Sequence, residues 1–316
     1  TGDGIVCIPA VLGDWQVEQF FKATNTGMWD EFGYSVALSD DGSTMAVGAP
    51  FEASSGTGVN GTQDNNASLS GAVYVYARAN GIWTFQAFIK STHTASGDNF
   101  GRSVALSGSG NVLAVGAPYA SVSGPSTTGA VYIYTRVGTS WSFDARTSGE
   151  GDHLYGRSVS LSSDGNTLAV GAPFESSSSM GINGPRNSNA PQSGAVYVYA
   201  RSSGSWPLQA FVKANNTGEN DRFGYAVSTS ADGNTLAVGA PEEDSSGTGV
   251  GGAQNDNASN SGAVYLYSRT GTTWSFGAFV KANNTGSNDG FGFAVALSGD
   301  GNTLAAGAPI KDSSGT

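Results

Sequence analysis

Short apolar runs alternate with polar, glycine-rich stretches along the whole chain. YSVALS (34–39) and TMAVGA (44–49) are runs of β-branched, aromatic and small residues around a turn that contains Gly42. GAVYVYAR (71–78) and the Trp83 segment bracket a second turn, ANG. Each pair reads as a β-hairpin. No apolar stripe at helical spacing is sustained anywhere, so helices are not expected. Runs such as VYVY and LAVGA are apolar on both faces, as in a sheet sandwiched between two others.

The two hairpins recur in alternation. The first begins at Phe32, Phe100, Tyr155, Phe223 and Phe291, with spacings of 68, 55, 68 and 68 residues. The second begins at Gly71, Gly129, Gly194 and Gly262, and each copy carries a Trp twelve residues on: Trp83, Trp141, Trp206 and Trp274. A diverged copy with Trp15 occupies residues 4–22. One repeat is therefore four strands, and four-stranded sheets repeated around an axis make a β-propeller. The expectation is one all-β domain over 1–316: a half-blade at 4–22, repeats starting near 32, 100, 155 and 223, and a half-blade at 291–309. That makes five blades, one of them shared by the N- and C-terminal segments. Two closures compete. The half-blades can pair within one chain, or between chains, head to tail, as a filament. The single-chain ring is the expected one.

Composition narrows the picture. The 316 residues include 47 Gly, yet 38% are hydrophobic, enough for a sizeable core in a turn-rich fold. The net charge of −11 with only 14 Lys plus Arg makes nucleic acid and anionic membranes poor partners. No apolar run reaches membrane-spanning length, so no membrane insertion is expected. The lone Cys7 forbids an internal disulfide. The opening TGDG, without Met or signal peptide, reads as a mature form or an excerpt of a longer protein.

The pairing of Phe-Gly with Gly-Ala-Pro on one hairpin, from Phe32-Gly33 with Gly48-Ala49-Pro50 to Phe291-Gly292 with Gly307-Ala308-Pro309, resembles the FG-GAP repeat of integrin alpha-chain propellers. It is closer still to bacterial-type FG-GAP arrays. One copy departs, with Tyr155 for Phe. The resemblance implies a secreted or cell-surface, extracellular, non-catalytic propeller for adhesion or structural assembly, working through a protein partner or self-assembly. Integrin propellers have seven blades, against five counted here. Their calcium loops are not matched, because the turns SDDGST, SGSGNV, SSDGNT, SADGNT and SGDGNT are too short to wrap the ion.

Other candidates are weighed against plain structural roles. Asp30, Asp98, Asp221 and Asp289 sit two residues before Phe-Gly in oxygen-rich loops. They could bind Ca2+, or cap the turn through local backbone bonds, the commoner case. Lys22, Lys90, Lys213 and Lys281 share one repeat position and are expected to form exposed pairs with those Asp residues. The repeat Trp residues are either packing anchors or platforms for a glycan, the carbohydrate-binding alternative. Trp29 breaks the repeat pattern in a loop, as a partner contact or a cover for the seam. Asn60, Asn66, Asn215, Asn257 and Asn283 are glycosylation sequons in loops. His93 and His153 lie in separate loops, and no hydrolase or redox motif occurs, so no enzyme is expected.

Overall fold

The computed structural model describes residues 5–7, 19–121, 128–149 and 153–310. A two-stranded hairpin, β1 (Ile5–Cys7) and β2 (Gln19–Phe21), precedes four full blades. The first blade is β3 (Ser35–Leu38), β4 (Thr44–Ala49), β5 (Ala72–Ala79) and β6 (Ile82–Ile89). The second is β7 (Ser103–Leu106), β8 (Val112–Ala117), β9 (Ala130–Val137) and β10 (Ser140–Ser148). The third is β11 (Ser158–Leu161), β12 (Thr167–Ala172), β13 (Ala195–Ala200) and β14 (Leu208–Val212). The fourth is β15 (Ala226–Thr229), β16 (Thr235–Ala240), β17 (Ala263–Thr270) and β18 (Thr273–Val280). A final half-blade is β19 (Ala294–Leu297) and β20 (Leu304–Gly307). All neighbouring strands are antiparallel and in chain order. The protein is thus an all-β propeller of about five blades.

The inner strands pack in series around the axis, β3 on β7, β7 on β11, β11 on β15 and β15 on β19. The second strand of each full blade is buried over almost its whole length, because it faces a neighbouring blade on each side. The Phe-Gly and Gly-Ala-Pro pairing has a direct physical cause. Within a blade, the Gly101 N–H donates to the Gly116 carbonyl at 3.0 Å. Between blades, the Gly101 carbonyl lies so close over Gly48 that a Cβ there would collide with it. The same contact recurs at Gly116, Gly171 and Gly239, under the carbonyls of Gly156 (of the Tyr155-Gly156 pair), Gly224 and Gly292 in the next blade. Gly101 itself has φ +89°, which only glycine adopts without strain. The aromatic of each pair is a core anchor. Phe100 stands edge-on to Tyr132 at 5.5 Å, and Phe223 edge-on to Tyr265 at 5.3 Å. Tyr155 keeps that place and spends its extra hydroxyl on Thr147 (2.7 Å) and Tyr199 (2.8 Å).

The N-terminal hairpin docks where an outer half-blade should. Phe21 packs edge-on against Tyr76 (5.0 Å) and Trp83 (6.0 Å), and the Tyr76 hydroxyl donates to the Lys22 carbonyl at 3.0 Å. Tyr134 and Tyr267 make the same bond to the carbonyls of Lys90 and Lys213 in the preceding blades. No ladder joins this hairpin to β20 among the described residues, so the two half-blades expected to share a blade are two separate two-stranded sheets there. Gly307, unlike its four counterparts, has no Phe-Gly carbonyl against it.

The long inserts of three blades run back along the outer strand. Val59, Ile182 and Val250 form isolated bridges to Ile89, Val212 and Val280. They cover backbone that an outer edge would otherwise leave open to pairing.

Candidate functional site

The residue after each Phe-Gly pair stands at one end of the axis, just before its inner strand. Around the ring these residues are Tyr34, Arg102, Arg157, Tyr225 and Phe293, and they line a recess of about 350 Å3. The Arg102 guanidinium lies 4.3 Å over the Tyr34 ring on one side. The Arg157 guanidinium lies 4.3 Å over Tyr225 on the other. Tyr225 in turn meets Phe293 at 4.9 Å, tilted by 45°. The two guanidiniums come from adjacent blades and lean apart onto aromatic faces, an arrangement that holds a cation by the ring quadrupole. Neither makes a hydrogen bond or ion pair among the described residues, and the Arg102 Nε is buried without a partner.

A second recess, of about 270 Å3, adjoins the first through their common walls, Tyr225 and Phe293. It holds Glu242, whose Oε1 receives the Arg222 Nη1 at 2.8 Å. Burial raises the Glu242 carboxyl above its ordinary value, and Arg222 opposes the rise. At the far end of the axis the first-hairpin turns are tied together. Asp40 donates through its N–H to Gly108, Gly108 to Ser163, Ser163 to Ala231 and Ala231 to Gly299, at 2.8–3.0 Å. The mouth thus brings together positive charge, ring faces and, in the adjoining recess, one carboxylate with a raised proton affinity, which makes it the candidate site.

The residues singled out from sequence lie elsewhere. Asp30, Asp98, Asp221 and Asp289 are buried in the blade-joining loops, and each accepts a bond from a backbone N–H three residues before it, at 2.7–2.9 Å. Burial pushes the Asp98 carboxyl up to about 6 and that of Asp221 to about 7. Among the described residues no three His, Cys, Asp or Glu side chains converge as a metal site. Trp29 is 79% exposed at φ +71°, beside the exposed Met28. Asn60, Asn66, Asn257 and Asn283 are exposed and Asn215 half-buried. Trp15, and Asp152, which stands three residues before Tyr155 in the third copy of the Asp position, lie outside the described residues.

One expectation is corrected, and one pair of alternatives is decided in favour of packing. The Lys ladder does not form exposed pairs with the Asp residues. Lys90, Lys213 and Lys281 are buried and bind Glu52, Glu175 and Glu243 at 2.8–2.9 Å. Only Lys22 is exposed. Burial lowers the proton affinity of the three lysines, and the paired Glu works against that. The repeat Trp rings are not open platforms for a glycan. Trp83, Trp141, Trp206 and Trp274 are buried. Trp141 and Trp274 donate through Nε1 to Gln86 (2.8 Å) and Gln209 (2.9 Å) of the preceding blade. A sugar would have to displace the blade contact to reach them.

What the sequence reading missed is the mouth. Its one signal was the position after Phe-Gly, which varies between Arg and aromatic inside an otherwise constant block. Glu52, Glu175 and Glu243 had a clearer signal. The second blade has Ala120 in place of the Glu and Ser148 in place of the Lys, so both partners are lost together.

Among solved structures, the chain is similar to a periplasmic gluconolactonase of Pseudomonas aeruginosa, at 17% identity and TM-score 0.53, covering 93% of this chain and 68% of that one. It also matches a Bacteroides uniformis protein assigned as a 6-phosphogluconolactonase, at 10% identity and TM-score 0.42, covering 87% and 77%. No curated protein sequence matches significantly. The first likeness is one of fold, and it overturns the expectation of a non-enzymatic adhesion or structural module. That expectation rested on the FG-GAP resemblance and on the absence of hydrolase and redox motifs, whereas a propeller of the same fold serves an enzyme. The repeat itself is shown by the FG-GAP repeat model, which matches residues 15–76, 83–134 and 206–267, more than half of the sequence. With its Phe-Gly carbonyls seated on Gly-Ala-Pro glycines from blade to blade, the chain belongs to the FG-GAP repeat family.

Proposed function

We propose that the chain is a hydrolase of propeller type that opens a cyclic ester, the lactone of a sugar acid, at the axial mouth. The observation that carries this reading is that the recess of Glu242 and the recess of Arg102 and Arg157 share Tyr225 and Phe293 as walls. In this mechanism Glu242 takes a proton from water, and the water oxygen attacks the ester carbonyl. The oxyanion that forms faces the guanidiniums. The ring C–O bond then breaks, the proton passes to the leaving oxygen, and a hydroxy acid results. A carboxyl whose proton affinity is raised by burial is a better proton acceptor than an ordinary one. Fixed positive donors lower the energy of the oxyanion more than that of the neutral ester. The fold shared with a gluconolactonase supports the choice of substrate class. A location outside the cytoplasm, secreted or periplasmic, is compatible with that neighbour.

The test is hydrolysis of a panel of sugar lactones, corrected for the spontaneous rate. Wild type is expected to exceed the spontaneous rate, and Glu242→Gln to lose on the order of 100-fold, the usual weight of a general base. A folded wild type that never exceeds the spontaneous rate rejects the reading.

A further inference from the structure

We infer that the mouth selects small organic acids, with the ligand carboxylate docked between Arg102 and Arg157. The inference rests on the lactone reading for the carbon skeleton of the ligand, but its evidence is independent of catalysis.

The fold does not need charge at these two positions. The same site in three other repeats is Tyr34, Tyr225 or Phe293, so an uncharged ring satisfies the packing. Two adjacent blades nevertheless place guanidiniums on the wall of one recess, without a counter-ion among the described residues. Like charges so placed repel, and a bound anion removes that cost. Each guanidinium lies over a ring, 4.3 Å from its centroid, and its N–H donors have no hydrogen-bond partner among the described residues, which leaves them uncommitted for a carboxylate. The neighbouring hydroxyls do not compete for that anion. Ser103 and Ser158 are committed to the carbonyls of Gly156 and Gly224, each at 2.9 Å. Tyr34 and Phe293 are 42% and 43% exposed at the rim, so ring faces are open to the C–H face of a carbon chain. In a chain of net charge −11, a positive mouth is a local focus and not a general property of the surface.

The experiment is calorimetric titration with sodium gluconate, sorbitol and inorganic phosphate. Gluconate and sorbitol share their hydroxylated chain and differ in the carboxylate. Wild type should bind gluconate more weakly as NaCl rises, and should not bind sorbitol. Arg102→Gln and Arg157→Gln should each weaken gluconate binding on the order of tenfold or more, the weight of a charge-assisted hydrogen bond. Arg102→Tyr and Arg157→Tyr, which place there a residue that other blades already accept, should do the same. Undiminished binding in those variants overturns the inference, as does equal binding of sorbitol or no binding of gluconate. Phosphate that binds as tightly as gluconate overturns the assignment to a carboxylate. Gluconate binding without lactone hydrolysis supports this inference and rejects the reaction. Lactone hydrolysis without gluconate binding does the reverse.

Discussion

The buried Lys–Glu pairs make a prediction that the molecule itself has already half tested. Lys213 Nζ is held by Glu175 (2.8 Å), Ser193 Oγ (2.7 Å) and the Gly194 carbonyl (2.6 Å), with no exposed side-chain surface. Glu175 also accepts bonds from the Ser177 backbone and hydroxyl. Replacing one partner leaves the other charge buried and unmatched, which typically costs about 3–5 kcal/mol. Lys213→Met should therefore lower stability by about that amount. At roughly 2 °C per kcal/mol for a chain of this size, Tm should fall by roughly 6–10 °C. Removing both charges is different, because neither desolvation cost remains. The second blade shows that the fold tolerates this, with Ala120 and Ser148 at the two positions. The double variant Glu175→Ala/Lys213→Met should thus be more stable than Lys213→Met alone. Urea unfolding of wild type, both single variants and the double variant closes the cycle. A double variant whose loss equals the sum of the single losses would refute the reasoning.

Two further outcomes follow from particular residues. The folded Asp221 carboxyl titrates near 7, well above its unfolded value, so the folded state holds the extra proton between about pH 4 and 7. Its contribution is fully present below pH 4 and is lost as pH rises through 7. Asp221→Asn keeps an oxygen for the Gly218 N–H and should equal wild type at pH 4 but melt higher at pH 8, and a constant difference across that range speaks against this. Trp29 sits at φ +71° where the matching positions hold Asn220 and Asn288 at φ 66° and 65°. Trp29→Asn should gain on the order of 1 kcal/mol, since Asn tolerates the left-handed region better and the ring is mostly exposed. Thermal unfolding that shows a loss would mean the indole is packed after all.

The repeat, its hairpins and its propeller were legible because local signals repeat five times in register. The Phe-Gly and Gly-Ala-Pro blocks were visible as motifs. Their cause, a carbonyl of one blade seated on a glycine of the blade before, needed the ring. The Lys ladder was seen but paired wrongly, because Asp221 lies near Lys213 in sequence and Glu175 does not. The joint loss in the second blade could have corrected that choice. The mouth was harder to see. Arg102 and Arg157 are separated by 55 residues and become neighbours only through the curvature of the blades around the axis. No spacing rule along the chain marks them. The repeat Trp residues carried the opposite lesson. A conspicuous aromatic at a fixed register is what an interface between identical units requires, and Gln86 and Gln209 receive its polar edge.

The most direct test of the account is a crystal structure of the protein soaked with gluconate. The account predicts a ligand in the axial recess, with its carboxylate between Arg102 and Arg157 and its chain against Tyr225 and Phe293. Ligand density at the rim between blades, with an empty mouth, would contradict it.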